Sequence, residues 1–298
     1  MRILLTGRNG QVGWELERSL QPLGQVTAID RGACDLADLD ALRKTLDRSQ
    51  PDVIVNPAAH TAVDKAESGS ELAFRLNAEA PATMAKWAKR HGAALVHYST
   101  DYVFDGALDR PYVEDDEAKP LSVYGRSKLA GEEAIQESGC PHLILRTSWV
   151  YGARGHNFLR TMLRLAGERD ALSVVSDQFG APTWCRSIAD ATACLIAMAR
   201  TAPEGLEHAL RARGGVFHLT CSGATTWHGF TRAILDETGR AARVRLSECT
   251  SDQYPTVARR PKNSCLSGEK LQAAWGVHMP DWKEALRLCL GEMAVGGQ

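Results

Sequence analysis

Short apolar runs and amphipathic runs alternate along the first half of the chain. "RILLT" (2–6), "QVTAID" (25–30), "DVIVN" (52–56), "ALVHYS" (94–99) and "HLILRTS" (142–148) are nearly continuous in aliphatic residues. Runs of this length and type predict strands buried on both faces. Between them, "WELERSLQPLG" (14–24) sets Leu16 and Leu20 at i, i+4 and stops at a glycine. "LADLDALRKTLDRSQ" (36–50), "ELAFRLNAEAPATMAKWAKRHG" (71–92) and "KLAGEEAIQESG" (128–139) repeat apolar residues at helical spacing, so each predicts a helix. Pro81 either starts a new segment or kinks the long one. Strand and helix taking turns over residues 1–150 predict an α/β fold. The expected form is a doubly wound parallel sheet of Rossmann type, with right-handed crossovers and helices on both faces.

After Trp149 the alternation loosens. "NFLRTMLRLAGER" (157–169), "SIADATACLIAMAR" (187–200) and "TWHGFTRAILDETG" (226–239) predict helices, "ALSVVSD" (171–177) and "VFHLT" (216–220) predict strands, and "EGLEHALRARGG" (204–215) reads as loop or weak helix. Residues 151–298 are therefore expected to form mainly a smaller, mixed α/β substrate-binding domain, with the chain crossing back to the large sheet near 170–190. "ATACLIAMA" (191–199) is the longest weakly polar run. Asp190 and Arg200 bound it, which makes it a buried helix and not a membrane span.

Composition adds limits. The chain has 298 residues, 44% hydrophobic and 24% charged, with a formal net charge of -1. That balance carries no basic excess for nucleic acid or an anionic membrane. The N-terminal apolar stretch is too short for a signal peptide. The eight cysteines include no Cys-x-x-Cys and read as reduced, core-filling thiols of a cytosolic enzyme.

Two places carry chemistry. Gly7, Gly10 and Gly13 lie between the first strand and the first helix. Glycines there let the backbone approach a pyrophosphate, and the helix N-terminus offers free N–H groups to it. Asp30 ends the second strand, where an acid either bonds the adenosine ribose hydroxyls or caps the next turn. Arg31 beside it can meet a 2'-phosphate, so the pair leaves NADH and NADPH both open. The second place is Tyr124 and Lys128, at i, i+4 on one helix face. A free tyrosine is a poor acid at neutral pH unless a neighbour favours its phenolate. Alone the pair reads as a solvated surface pair. It gains weight from the glycine loop, and from Ser99, Thr100 and Asp101 at the carboxyl end of a sheet strand, the edge at which such sheets bind ligands.

Taken together, "TGRNGQVG", "YSTDYVFDG" and "VYGRSKLAGE" resemble the extended branch of the short-chain dehydrogenase/reductase family. "VNPAAHTAVDKAES", "RTSWVYG", "DQFGAPT" and "RPKNS" narrow the likeness to its sugar-nucleotide reductases. The resemblance runs from Met1 to about Glu292. It implies a small-molecule nucleotide-sugar substrate with a 4-keto group, reduced with NADPH or NADH. It implies Tyr124 as the acid, Lys128 as its tuning charge and ribose partner, and Thr100 as a bond to the carbonyl oxygen. It carries over Gly10, Gln11, Val12, Asp30, Asp35, Leu36, Ala59, His60 and Thr61 as cofactor contacts, and Thr100, Asp101 and Trp149 as substrate contacts. Each has a plainer alternative: Asp35 as a helix cap, His60 as a satisfied loop histidine, Trp149 as core. Arg260 meets the diphosphate or lies in a surface loop. The rival functions are an epimerase or dehydratase of the same branch, or a non-catalytic nucleotide-binding subunit. Some relatives hold Mg²⁺ with three glutamates at a dimer interface. Glu15 and Glu292 match two of these, but Arg186 stands at the third, so the expectation is no metal and a monomer or weak homodimer.

Overall fold

The computed structural model describes residues 1–295. Six strands form one sheet in the spatial order Gln25–Ala28, Arg2–Leu5, Val53–Asn56, Ala94–Thr100, His142–Thr147, Gly215–His218. Every neighbouring pair is parallel. The second strand in sequence lies on one side of the first and the third lies on the other. The winding direction therefore reverses at the first strand, and a crevice opens there beyond the carboxyl ends.

The strands read as continuous apolar runs because both faces are covered. Ile3 and Leu5 pack into one hydrophobic cluster and Leu4 into another; Val53 and Val55 divide from Ile54 in the same way. This is the two-residue strand period, with apolar groups needed on each side. The helices Gln11–Ser19, Cys185–Thr201 and Gly205–Arg213 cover the first face. Leu39–Ser49, Ala80–His91 and Val123–Ser138 cover the second.

Several local details differ from the sequence expectation. The first helix begins at Gln11, directly on the glycine loop, and gives way to a 3₁₀ turn at Gln21–Leu23. The second begins at Leu39, and Asp38 rather than Asp35 caps it, accepting from Asp40 N and Ala41 N. The stretch 71–92 is two helices joined by a π-turn at Arg75–Glu79, and Pro81 sits in the first turn of the second one. That is where a residue without an N–H costs least. Residues 204–215 fold as the helix Gly205–Arg213, and "VFHLT" supplies the outer strand of the large sheet.

The chain returns to the large sheet over Cys185–His218, where Cys185–Thr201 packs on the first helix. Much of the rest of the second half has its own core of Tyr151, Leu159, Phe230, Ile234, Trp282 and Leu286, while Leu271 and Trp275 join the core of the large sheet. There the strand Ala171–Val175 pairs in parallel with Arg245–Cys249. No helix among the described residues is long and apolar enough to cross a membrane.

Candidate active site

The glycine loop ends the first strand. Gly7 has φ of +61°, in the left-handed region, and a Cβ on Gly13 would sit 2.1 Å from the Gly7 carbonyl oxygen. The loop folds back on its own helix, so neither position admits a side chain. Gly10 precedes the helix with no side-chain cap, which leaves the first N–H groups turned to the crevice.

On the far wall, Ser122 caps the helix Val123–Ser138 by accepting from Gly125 N, and Glu67 accepts from Val123 N. Two glycines let that helix press onto its neighbours. A Cβ on Gly125 would meet the Tyr102 carbonyl at 2.2 Å, and one on Gly131 would meet that of Asn77 at 2.1 Å. Asn77 lies in the π-turn. Its amide clamps the His60 backbone from both sides and donates to Ser127 of the tyrosine helix.

The first strand's loop and this helix enclose a cavity of about 500 Å³. Gly7, Gly10, Gln11, Val12, Gly13, Ala59, Thr61, Thr100, Asp101, Tyr124, Lys128 and Trp149 all line it. An adjoining cavity is lined by Gly7, Asp30, Arg31, Asp35, Leu36 and Ala59. His60 lines neither; its peptide is held by Asn77. Arg260 lines a third cavity, with Phe158, Gln178 and Trp227. Ser99, placed by the sequence at the carboxyl end of its strand, lines the first cavity too, and so do Tyr98 and Thr147, which the sequence did not single out. The signal for Thr147 was its place at a strand carboxyl end. Ser99 Oγ, Thr147 Oγ1 and Asp101 Oδ2 are buried there with no hydrogen-bond partner. Buried polar atoms without partners, beside a glycine cradle, fit an extended polar ligand such as a dinucleotide.

Burial pushes the Tyr124 phenol up to about 12, the Thr100 hydroxyl pulls it down, and the Asp101 charge pushes it up. Lys128 is not aimed at the phenol. Its ammonium donates to the Tyr98 carbonyl at 2.5 Å and meets His97 Nε2 at 3.2 Å. Burial lowers the Lys128 ammonium to about 8, and the Glu132 charge opposes that. Thr100 donates to Asp101 Oδ1 at 2.9 Å, and burial raises the Asp101 carboxyl to about 6. The charge pattern expected from Tyr124 and Lys128 alone is thus shared with Thr100 and Asp101.

In the adjoining cavity, Asp30 accepts from Ala33 N and Asn9 Nδ2, bonds that hold its carboxyl below the usual range. Arg31 is exposed and pairs with Asp35 Oδ2 at 3.0 Å. Asp35 also accepts from Ala37 N, so it ties a turn, not the helix.

On the opposite side, Trp149 has φ of +48°, a strained value for a bulky residue. Its ring lies on that of Trp227, centroids 3.5 Å apart and 6° from parallel. Gly180 also packs against the indole; a Cβ there would come within 2.4 Å of it. Arg260 reaches Asp64 at 3.2 Å, while its Nε is buried without a partner.

Away from these cavities, Arg186 bridges Glu15 (3.1 Å) and Glu292 (2.6 Å). Among the described residues no group of three acids, histidines or cysteines is placed to hold a metal ion.

The RmlD substrate binding domain family model matches residues 1–295. The chain is 49% identical to a dTDP-4-dehydrorhamnose reductase of Burkholderia thailandensis, over 98% of this chain and 99% of that protein. Two solved structures superpose closely. A dTDP-4-dehydrorhamnose reductase of Clostridium acetobutylicum gives a TM-score of 0.90 at 37% identity, covering 99% of this chain and all of that one. One of Bacillus anthracis, in complex with NADP, gives 0.89 at 32% identity, covering 98% and 99%.

Proposed function

The chain belongs to the RmlD substrate binding domain family, and on that premise we propose that it is an NAD(P)H-dependent dTDP-4-dehydrorhamnose reductase. It reduces the C4 keto group of dTDP-4-dehydro-β-L-rhamnose to give dTDP-β-L-rhamnose, the last step of dTDP-L-rhamnose biosynthesis. The observation that carries this reading is that Tyr124, Lys128 and Thr100 share one cavity with the glycine loop.

The bound nicotinamide supplies the hydride. Gly7, Gly10 and Gly13 receive the pyrophosphate of the dinucleotide, and Asp30 its adenosine ribose. Lys128 holds the second ribose with the ammonium hydrogen its strand partners leave free. Tyr124 keeps its proton through substrate binding, because burial holds the phenol up to about 12. It releases the proton only when the C4 oxygen becomes an alkoxide, a stronger base. An interaction made only at that stage lowers the barrier without tightening the ground state. Thr100 steadies the same oxygen. Trp149 and Trp227 present an aromatic wall to the sugar, and Arg260 a cation to the diphosphate.

The finer parts of the proposal follow from the same residues. Residues 1–150 receive the dinucleotide and 151–298 mainly the sugar nucleotide, in the cytoplasm. Asp30 favours a free 2'-hydroxyl and Arg31 a 2'-phosphate, so both NADH and NADPH serve. Arg186 supplies no oxygen ligand and occupies Glu15 and Glu292 as their shared ion-pair partner. That set does not fit Mg²⁺, so the enzyme works without metal as a monomer or weak homodimer.

The test is NADPH consumption with dTDP-4-dehydrorhamnose generated in situ and a UDP-linked 4-keto sugar as control. Turnover with the first and little with the second is expected. Equal turnover with both would sink the assignment of substrate.

A further inference from the structure

Behind Lys128 runs a chain of polar side chains that neither the glycine loop nor the tyrosine motif requires. Thr6, Asn56 and His97 are fully buried and Lys128 is 2% exposed. Thr6 Oγ1 lies 2.6 Å from Asn56 Oδ1, Asn56 Nδ2 lies 3.1 Å from His97 Nδ1, and His97 Nε2 lies 3.2 Å from Lys128 Nζ. The chain crosses three neighbouring strands and ends on the lysine that faces the cavity.

Its polarity is tied to the charge on that lysine. With Thr6 donating to Asn56 Oδ1, the amide donates to His97 Nδ1. A neutral ring then carries its hydrogen on Nε2, pointing at Lys128, which only an uncharged amine accepts. With the amide turned over, Asn56 Oδ1 accepts from Nδ1–H and Nε2 is left as an acceptor for an ammonium. His97 itself stays neutral: its burial and the Lys128 charge hold it well below the usual histidine range.

The ammonium has three hydrogens. The Tyr98 carbonyl takes one and His97 Nε2 another, which leaves one for the cavity. Without the imidazole acceptor, two hydrogens are free and the head can turn away from the ribose. The charged form would also lose a bond in a dry site, where each such bond counts most. Other charges do not replace it. Glu132, on the same helix, is paired with Arg146 at 2.7 Å. Asp101 at the strand end is bonded to Thr100. Tyr124 is one turn away, and the Tyr98 hydroxyl is turned to Thr192 at 2.7 Å.

We infer that His97 is a positioning residue: with its tautomer set by Asn56, it accepts a hydrogen bond from Lys128, keeping that lysine charged and aimed at the nicotinamide ribose. This rests on the function proposed above for Lys128 and adds the group through which the lysine is controlled.

The experiment measures NADPH binding by fluorescence between pH 6 and 9.5 for the wild type, His97→Gln and His97→Leu, alongside turnover. Wild-type affinity should fall as pH rises through about 8, where Lys128 loses its proton. Removing an acceptor destabilises the charged form, so in His97→Leu the fall should move about one pH unit lower. His97→Gln keeps an acceptor and should stay near the wild-type position. A wild-type midpoint in His97→Leu, with only a lowered melting temperature, would make His97 a space filler and overturn the inference. Nitrogen NMR of wild-type enzyme labelled in histidine needs no unstable variant. With the His97 signal assigned by its loss in His97→Gln, Nδ1–H is expected at pH 7, and Nε2–H would overturn the inference. Absence of turnover with dTDP-4-dehydrorhamnose would fault the proposed reaction instead, and leaves the binding arm to decide on His97.

Discussion

The two walls of the catalytic crevice are built in different ways. The cofactor wall is local. Gly7 to Gly13 span one loop and the first turn of its helix, Tyr124 and Lys128 one helical turn, and Thr100 and Asp101 one strand end. The wall proposed for the sugar is assembled from distant parts. Trp149 meets Trp227 across the chain, Gly180 lies against Trp149, and Arg260 reaches back to Asp64. A local wall is held by backbone geometry, so substitutions there should remove chemistry and spare the fold. A composite wall relies on side-chain stacking, so substitutions there should loosen one ligand and spare the other.

The largest effect tests the local wall. Tyr124→Phe keeps the ring, its edge contact with Tyr102 at 5.6 Å, and the helix. It removes only the proton. Turnover should fall by about 10²–10⁴-fold, the usual worth of a placed acid, with NADPH affinity within a few-fold of wild type. Steady-state kinetics and cofactor titration check both halves. Turnover within a few-fold of wild type would take the acid's role from Tyr124.

The same contrast explains how far the sequence could be read. The large sheet was legible because two covered faces demand continuous apolar strands, as in Val53–Asn56 and Ala94–Thr100. The glycine loop and the tyrosine helix were legible because their chemistry fits a fixed local spacing. Asn77 and His97 were not. Each is a polar residue inside an apolar pattern, and its partners lie on other elements: Ser127 for Asn77, Asn56 and Lys128 for His97. Two glycines in a helix, Gly125 and Gly131, were a usable sign of close packing that spacing alone does not interpret. The Trp149–Trp227 stack has no sequence signal, since nothing local relates the two rings.

A smaller effect probes the composite wall. Trp149→Ala removes the aromatic face and keeps a Cβ at the left-handed backbone position, so the backbone there is unchanged. The Michaelis constant for the sugar nucleotide should rise about tenfold, a stacking loss of roughly 1.4 kcal/mol, while that for NADPH moves little. Trp227→Ala should act in the same direction, because Trp149 loses its backing. Parallel losses of both ligands would mean that this wall serves the cofactor too, and the comparison would fail.

Smaller again is the effect of Arg31→Ala at the adenosine end. Arg31 is exposed and already shared with Asp35, so water and the competing carboxylate dilute its pull on a 2'-phosphate. The Michaelis constant for NADPH should rise by about threefold, and that for NADH should stay put. Equal changes for both cofactors would show that Arg31 points away from the phosphate.

The smallest effect is at Arg186, outside both walls. Mg²⁺ needs hard oxygen ligands in near-octahedral order. Arg186 instead donates one charge-assisted bond to each of Glu15 and Glu292, and Glu15 is almost wholly buried. A cation entering there would displace a guanidinium already paired with both carboxylates. EDTA should therefore leave turnover and the light-scattering mass unchanged. Arg186→Glu turns the argument around. Three carboxylates would then face one another with only Arg18, 3.7 Å from Glu15, as counter-charge, and the variant should be less stable than wild type. Millimolar Mg²⁺ should raise its melting temperature and leave that of the wild type where it was. Loss of wild-type activity or mass on chelation would mean that the arginine bridge does not take the place of a metal.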